Sequence, residues 1–438
     1  MLPSFGGFFF TIAAFVVALS VIVAVHEYGH YIVGRWSGIH AEVFSIGFGP
    51  VLASRVDRRG TRWQIAALPF GGYVKFAGDA DAASVTSAGR EADAARRRQT
   101  MHGAPLWARS ATVAAGPAFN FIMSILVFGG FFLVNGVAGD KALVGAISPI
   151  PATPQELRTG DRIVALQGID TPDRLALLAA IDRLEPAPTL TYTVERNGVR
   201  QDILAPWPRQ PLASAVQPQS AAREAGLRAG DVIVAVNDAL VFSFDQVRDL
   251  VGESGGAPLS LTVWRDGRTF EASMTPRRVD LPLAEGGFET RWLIGITGGV
   301  FFEGQARTPG VLEAAQLGAS QTWFIASTSL SGLWHMIQGA ISSCNLRGPI
   351  GIAETSGAMA SDGLASFIWF IAVLSTAVGL LNLFPIPILD GGHLLFHAWE
   401  AVTGRPPSDG ALRVLMAIGL AFLATLMLFA IGNDLFCP

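Results

Sequence analysis

The chain is poor in charge and in cysteine. Only 15% of its 438 residues are charged, against 50% hydrophobic, where a soluble domain carries about 25% charged. With a mean hydropathy of +0.42, an ordinary soluble enzyme is excluded. A net charge of −4 and the lack of any long basic run argue against nucleic acid as a partner. Two cysteines, Cys344 and Cys437, cannot build a disulfide framework and are expected to be unrelated thiols. The N-terminus lacks a positive n-region, since Arg35 is the first basic residue. Its apolar run is also long, with no small-residue cleavage site after it, so a retained membrane helix is expected rather than a signal peptide.

What is present in excess is long apolar sequence. Segments near 8–30, 111–135, 365–389 and 414–431 are each long enough to span about 30 Å of hydrocarbon. A weaker stretch, 311–340, reads as an amphipathic helix lying in the interface. Arginines crowd the segment between the first two spans, including Arg55, Arg58, Arg59 and Arg62, which marks the cytoplasmic side. The N-terminus and 136–360 then lie outside and 391–412 inside. "AGREADAARRRQ" (88–99) reads as a solvated polar stretch.

The outer region repeats itself. "LRTGDRIVALQG" (157–168) recurs as "LRAGDVIVAVND" (227–238), each a Gly-Asp turn, an alternating strand and a second turn. A helical run and a strand pair joined by a basic-Gly turn follow each copy. "SAAREAGLRAGDVIVAVND" (220–238) resembles the PDZ domain pattern, from which the first copy departs. The expected fold is therefore a polytopic α-helical membrane protein with four transmembrane helices. Two tandem PDZ-like β-rich domains, 136–210 and 211–300, are inserted between the second and third spans. The membrane core comprises 1–135, with a hairpin loop at 40–80, and 361–438. The linker 301–360 carries the interfacial helix.

Ionisable groups at membrane depth cost roughly 2.5–3.5 kcal/mol each on insertion scales, so they mark function by default. "AVHEYGH" (24–30) ends the first apolar run. On a helix, His26 and His30 share a face and reach one metal ion, with Glu27 beside it. Two imidazoles and a third ligand suit tetrahedral Zn²⁺ with one open position, where a nearby carboxylate serves as general base. The third ligand is expected from "NLFPIPILDGGH" (382–393). Pro385 and Pro387 cannot continue a helix, and open backbone at membrane depth must face protein or a water-filled cavity. Asp390 emerges from that opening; the competing reading is a helix cap. His393 and His397 read as a polar helix face.

"VHEYGH" with "NLFPIPILDG" resembles the site-2 protease family of intramembrane zinc metalloproteases, and the inserted domains resemble its bacterial regulator-of-sigma-E protease branch. "GFGP" (47–50), "PFGGYVKFAGD" (69–79), "GPAFN" (116–120) and "RGPIGIAE" (347–354) extend the likeness. The resemblance implies Zn²⁺ held by His26, His30 and Asp390, and Glu27 as general base. It also implies contact of Asn382 with substrate backbone or oxyanion. Gly71, Gly72 and Tyr73 would lie in a membrane-dipping hairpin whose edge strand binds unwound substrate. A plain surface hairpin competes for 69–79, and a kink with a small-residue packing face competes for 116–120. The implied substrate is a single-pass membrane protein such as an anti-sigma factor trimmed by an upstream periplasmic protease, or a remnant signal peptide. The implied location is a bacterial inner membrane, with the site toward the cytoplasm. A different class stays open: a membrane-anchored PDZ scaffold that binds exposed C-termini and keeps a structural metal.

Overall fold

The computed structural model describes residues 5–78, 97–283 and 288–437; most of the 88–99 stretch lies outside them. Helix α1 (Phe5–Trp36) leads into strands β1 (Ala41–Val56) and β2 (Arg62–Phe76), then α2 (Leu106–Asn135). The first repeat supplies β3 (Val144–Ile147), β4 (Arg162–Leu166), β5 (Ile169–Asp170), α3 (Arg174–Arg183), β6 (Thr189–Arg196) and β7 (Val199–Pro206). The second supplies β8 (Ala215–Val216), β9 (Val232–Val236), β10 (Ala239–Leu240), α4 (Phe244–Glu253), β11 (Leu259–Arg265), β12 (Arg268–Met274) and β13 (Ile296–Thr297). After β14 (Phe302–Gly304) come α5 (Val311–Ile337), α6 (Pro349–Ser361), α7 (Leu364–Asn382), α8 (Asp390–Thr403) and α9 (Asp409–Phe436). Contacts divide the chain into two units. One comprises Met1–Phe131, Val311–Trp334 and Ser343–Cys437; the other is built mainly from Phe132–Gly310.

In the first unit, α1, α2, α7 and α9 are long and apolar enough to cross a membrane. Large side chains such as Phe8, Phe9, Phe422 and Leu428 stay exposed on them, an arrangement that hydrocarbon tolerates and water does not. The third of these helices stops at Asn382 rather than 389, because the prolines behind it cannot extend it. Helix α5 buries one stripe of small residues, Ala314, Gly318, Thr322 and Ala326. Gly318 packs against the backbone of Ile125 and Gly129 on α2, the close approach that small residues allow. Trp323, Phe324 and Trp334 remain exposed.

Strands β1 and β2 fold back on each other into four short segments. The start of β1 pairs with the end of β2 (Val43 with Lys75, Ile46 with Gly72) and also with its start (Val43 with Arg62, Ile46 with Ile65). The tail of β1 covers the far side (Val51 with Ala66, Val56 with Arg62). The order is thus 51–56, 62–66, 41–46, 72–76. Among the described residues no strand pairs with the other side of the last segment, and it lies beside α1: a Cβ on Gly72 would touch Val23 and Glu27.

In the second unit the two repeats form equivalent sheets, ordered β5-β4-β6-β7 and β10-β9-β11-β12. Their cores match position for position, with Ile163 and Ile233, Leu166 and Val236, Val194 and Val263 all buried. The repeated Gly-Asp has a shared purpose. Asp161 and Asp231 are each 1% exposed. Each accepts two bonds from an arginine, Arg196 (2.7 and 2.8 Å) or Arg265 (2.6 and 2.7 Å). Each also accepts a backbone N–H, from Arg158 or Arg228. The closing strand of the first sheet system comes late: Phe302 on β14 pairs with Ile147 on β3, as Ile296 on β13 pairs with Val216 on β8. The second repeat therefore sits inside the chain path of the first.

The cysteines correct the expectation of unrelated thiols: Cys344 and Cys437 form a disulfide across 93 residues. The end of α9 folds onto the start of α6. Asp434 accepts from the N–H groups of Gly348, Ile350 and Gly351 (2.8, 3.0 and 3.1 Å), a carboxylate at a helix N-terminus. Asn433 donates to the Ser343 carbonyl (2.7 Å). These contacts, invisible in sequence spacing, bring the sulfurs together.

Although burial opposes its ionisation, the Arg196 bonds hold the Asp161 carboxyl below its usual range. A lowered folded value means stability that is present above the ordinary carboxylate range and lost as pH falls through the folded value. Asp161→Asn should flatten that acid dependence and destabilise the first repeat by about 2–4 kcal/mol at neutral pH. Hydrogen exchange of β4 and β6 in the full-length protein, compared with wild type across acid pH, measures both.

Candidate metal centre

Helix α1 continues past the apolar run, so His26, Glu27 and His30 sit on its last turns. The Nδ1 of His30 lies 2.8 Å from the Thr112 carbonyl. A carbonyl only accepts, so Nδ1 carries the proton and Nε2 presents its lone pair. That Nε2 is 3.1 Å from Nε2 of His26 and 3.5 Å from Oδ2 of Asp390. His26 Nε2 and the same Asp390 oxygen are 3.1 Å apart. Bonds of 2.0–2.2 Å in a tetrahedron set ligand atoms roughly 3.3–3.5 Å from each other, close to this triangle. Among the described residues this is the one cluster of three or more such groups. Asp390 Oδ2 is buried, with nothing but the two imidazole nitrogens of the triangle to face it. A buried anionic oxygen so placed is costly, and a cation at the centre of the triangle is what it lacks. The donor set therefore fits Zn²⁺.

Asp390 arrives as its sequence suggested. Helix α7 ends at Asn382, the Pro-interrupted stretch 383–389 follows, and α8 begins at Asp390 with Leu389 as its cap residue and no side-chain cap bond. Asp390 does not cap its own helix. Of the other expected residues, Asn382 and Tyr73 line the cavity of about 750 Å³ that holds His26, Glu27, His30 and Asp390. Asn382 donates to the Val378 carbonyl one turn back (3.0 Å). Tyr73 stacks on Phe48 and accepts from Gln64 (3.2 Å). Gly72 sits against Glu27, while Gly71 faces the Phe48 ring. The Glu27 carboxyl meets the backbone of Val74 on the same edge segment. Strand edge and catalytic-type carboxylate are thus neighbours.

Two features were not legible in sequence. Gly116 of α2 lies against the metal-facing imidazoles: a Cβ there would land on the His30 ring and contact His26. Asn120, one turn on, puts its amide nitrogen 3.2 Å from Nδ1 of His26. "GPAFN" stood out as a motif, but nothing in the string says that it faces α1. At the other end of the cavity, Arg109 of α2 grips Glu400 of α8 with two bonds (3.1 and 2.6 Å). That pair ties the helix bearing Asp390 to the helix that abuts both histidines. His393 and His397, expected on a polar helix face, line the same cavity. Burial, with the charge of Arg109 and His393, pushes the His397 imidazole down to about 4, so it is neutral at pH 7 beside Ser110 Oγ (3.2 Å).

The peptidase family M50 pattern matches residues 14–426. The chain belongs to peptidase family M50. A relative from Agrobacterium fabrum, provisionally named a zinc metalloprotease, is 36% identical over 97% of this chain and 95% of its own length. The regulator of sigma-E protease RseP of Salmonella typhimurium is 34% identical over 97% of this chain and 98% of its own. Protease RseP of Yersinia pestis matches at 34% over the same shares. As an M50 peptidase, the chain has its titratable cluster where helix α1, the start of α8 and the 72–76 strand segment meet.

Gly116→Ala should displace an imidazole and remove bound metal while leaving the second unit, built mainly from Phe132–Gly310, folded. Elemental analysis of purified protein, expected to fall from about one zinc per chain to far below it, tests this.

Proposed function

We propose that this M50 peptidase is an intramembrane zinc metalloprotease that hydrolyses a peptide bond within the transmembrane segment of single-pass membrane proteins. The observation that carries it is the His26–His30–Asp390 triangle, which joins a membrane-length apolar helix to the break after another and opens on a cavity with a strand edge. Zn²⁺ held by His26, His30 and Asp390 supplies Lewis acidity and a readily deprotonated water at neutral pH. Glu27 does not join the triangle. It takes a proton from the attacking water and returns it to the leaving amine, a role worth typically 10²–10⁴-fold.

A transmembrane substrate hides its peptide bonds inside i→i−4 hydrogen bonds, so cleavage requires unwinding. The 72–76 edge beside Glu27 offers replacement backbone bonds by strand addition. Gly72 keeps this approach open, since a Cβ there would crowd both the Ser45 carbonyl and Glu27. Asn382, on the rim of the opened helix, contacts substrate backbone or the developing oxyanion. The outer repeats act as PDZ-like domains that filter or dock an already trimmed substrate of the anti-sigma-factor kind; remnant signal peptides are a second substrate type. The RseP relatives support that assignment through their names.

Orientation has two supports. Arginines concentrate between the first two spans, the cytoplasmic signature. The Cys344–Cys437 disulfide belongs to an oxidising compartment, which matches an outer location for 136–360 and for the end of the fourth span. The site then faces the cytoplasmic half of a bacterial inner membrane.

Glu27→Gln should leave a folded protein that retains its zinc and cleaves a model transmembrane substrate at least 10²-fold more slowly. Asp390→Asn should lose metal as well as turnover. Wild-type cleavage by purified Glu27→Gln in liposomes would falsify the base assignment.

A further inference from the structure

The two imidazoles of the triangle are oriented by different partners. His30 is held by a backbone carbonyl, which admits one tautomer. His26 is held by Asn120, whose amide admits either. Asn120 is fully buried and stands on the helix that also supplies the Thr112 carbonyl and Gly116. Its Nδ2 is 3.2 Å from Nδ1 of His26, and its Oδ1 is buried with no partner. With Nδ2 donating, His26 Nδ1 is the acceptor, and the proton sits on Nε2, aimed at Asp390 and at Nε2 of His30. That tautomer cannot ligate a cation through Nε2. A half-turn of the amide places Oδ1 against Nδ1. His26 Nδ1–H then donates, and its Nε2 lone pair joins that of His30. The half-turn leaves the NH₂ in the oxygen's former place. The state of the metal site, not the count of hydrogen bonds, therefore decides which face Asn120 presents.

We infer that Asn120 is a positioning residue for zinc: it fixes the metal-binding tautomer of His26 by accepting its Nδ1–H, and it can reverse to hold the metal-free tautomer. This rests on the reading of the triangle as a zinc site. It explains a neutral amide at a position where a carboxylate would fix one state. The backbone at this point is tied in separately, since Ser375 on α7 donates to the Asn120 carbonyl (3.0 Å). Side-chain changes therefore leave that helix contact in place.

The test is zinc affinity of full-length protein in detergent, by competition with a chromogenic chelator, with metal-free thermal unfolding measured alongside. Asn120→Leu should weaken zinc binding about 10–100-fold, the usual consequence of losing such a partner. Asn120→Asp, which can only accept, should bind zinc within about threefold of wild type or more tightly. Should Asn120→Leu not fold, Asn120→Ala serves in its place with the same expected loss. A packing role predicts the opposite pattern, with Asp as damaging as Leu because it buries a charge. Equal loss in Asp and Leu variants, or unchanged affinity in both Leu and Ala, overturns the inference. A wild-type protein that binds no zinc overturns both this and the reading beneath it.

Discussion

Everything in the membrane unit serves to bring one carboxylate to two imidazoles that lie more than 350 residues earlier in the chain. The 3.1 and 3.5 Å approaches of Asp390 to His26 and His30 join the first apolar helix to the break before α8. A buried carboxylate and two imidazole nitrogens so close together are costly without a cation. The surrounding structure is arranged to keep them there. Thr112 fixes one ring, Gly116 leaves room for both, and the Arg109–Glu400 pair holds α8 against α2. An ion pair this protected from water, with two bonds, is far stronger in its orientation than an exposed one.

The second constraint is water. Hydrolysis needs it, and the hydrocarbon interior excludes it. On the intramembrane reading proposed above, the broken helix at Pro385 and Pro387 and the folded sheet of β1 and β2 answer both halves of that conflict. Each is non-helical backbone, tolerated at depth only against protein or a wet cavity. Each also borders the cavity that contains the titratable groups. The strand edge at 72–76 and the carboxyl of Glu27 are neighbours for the same reason: the last turns of α1 are the wall against which the sheet packs.

The second unit shows how a repeat becomes a shared energetic device. The duplicated Gly-Asp turn supplies a buried aspartate that anchors one arginine in each copy. The bidentate geometry repeats to within about 0.1 Å. The late return of β14 to β3 means that the first copy is not completed until the second has been made. That order cannot be read from the repeat itself, whose strings lie end to end.

The sequence alone carried the membrane class, since length and hydropathy decide what spans hydrocarbon. It also carried the repeat and the paired histidines at helical spacing. Pro385 and Pro387 made the break before Asp390 legible, because proline acts locally. The rest depended on which faces meet. Nothing in "GPAFN" says that its glycine faces two imidazoles or that its asparagine reaches one of them. Nothing at Cys344 and Cys437 says that an Asp434 cap will bring them together, and nothing at His393 and His397 says that their face is the cavity wall. Local periodicity determines the element and the side chain it offers. Only packing between elements distant in the chain decides what that side chain touches.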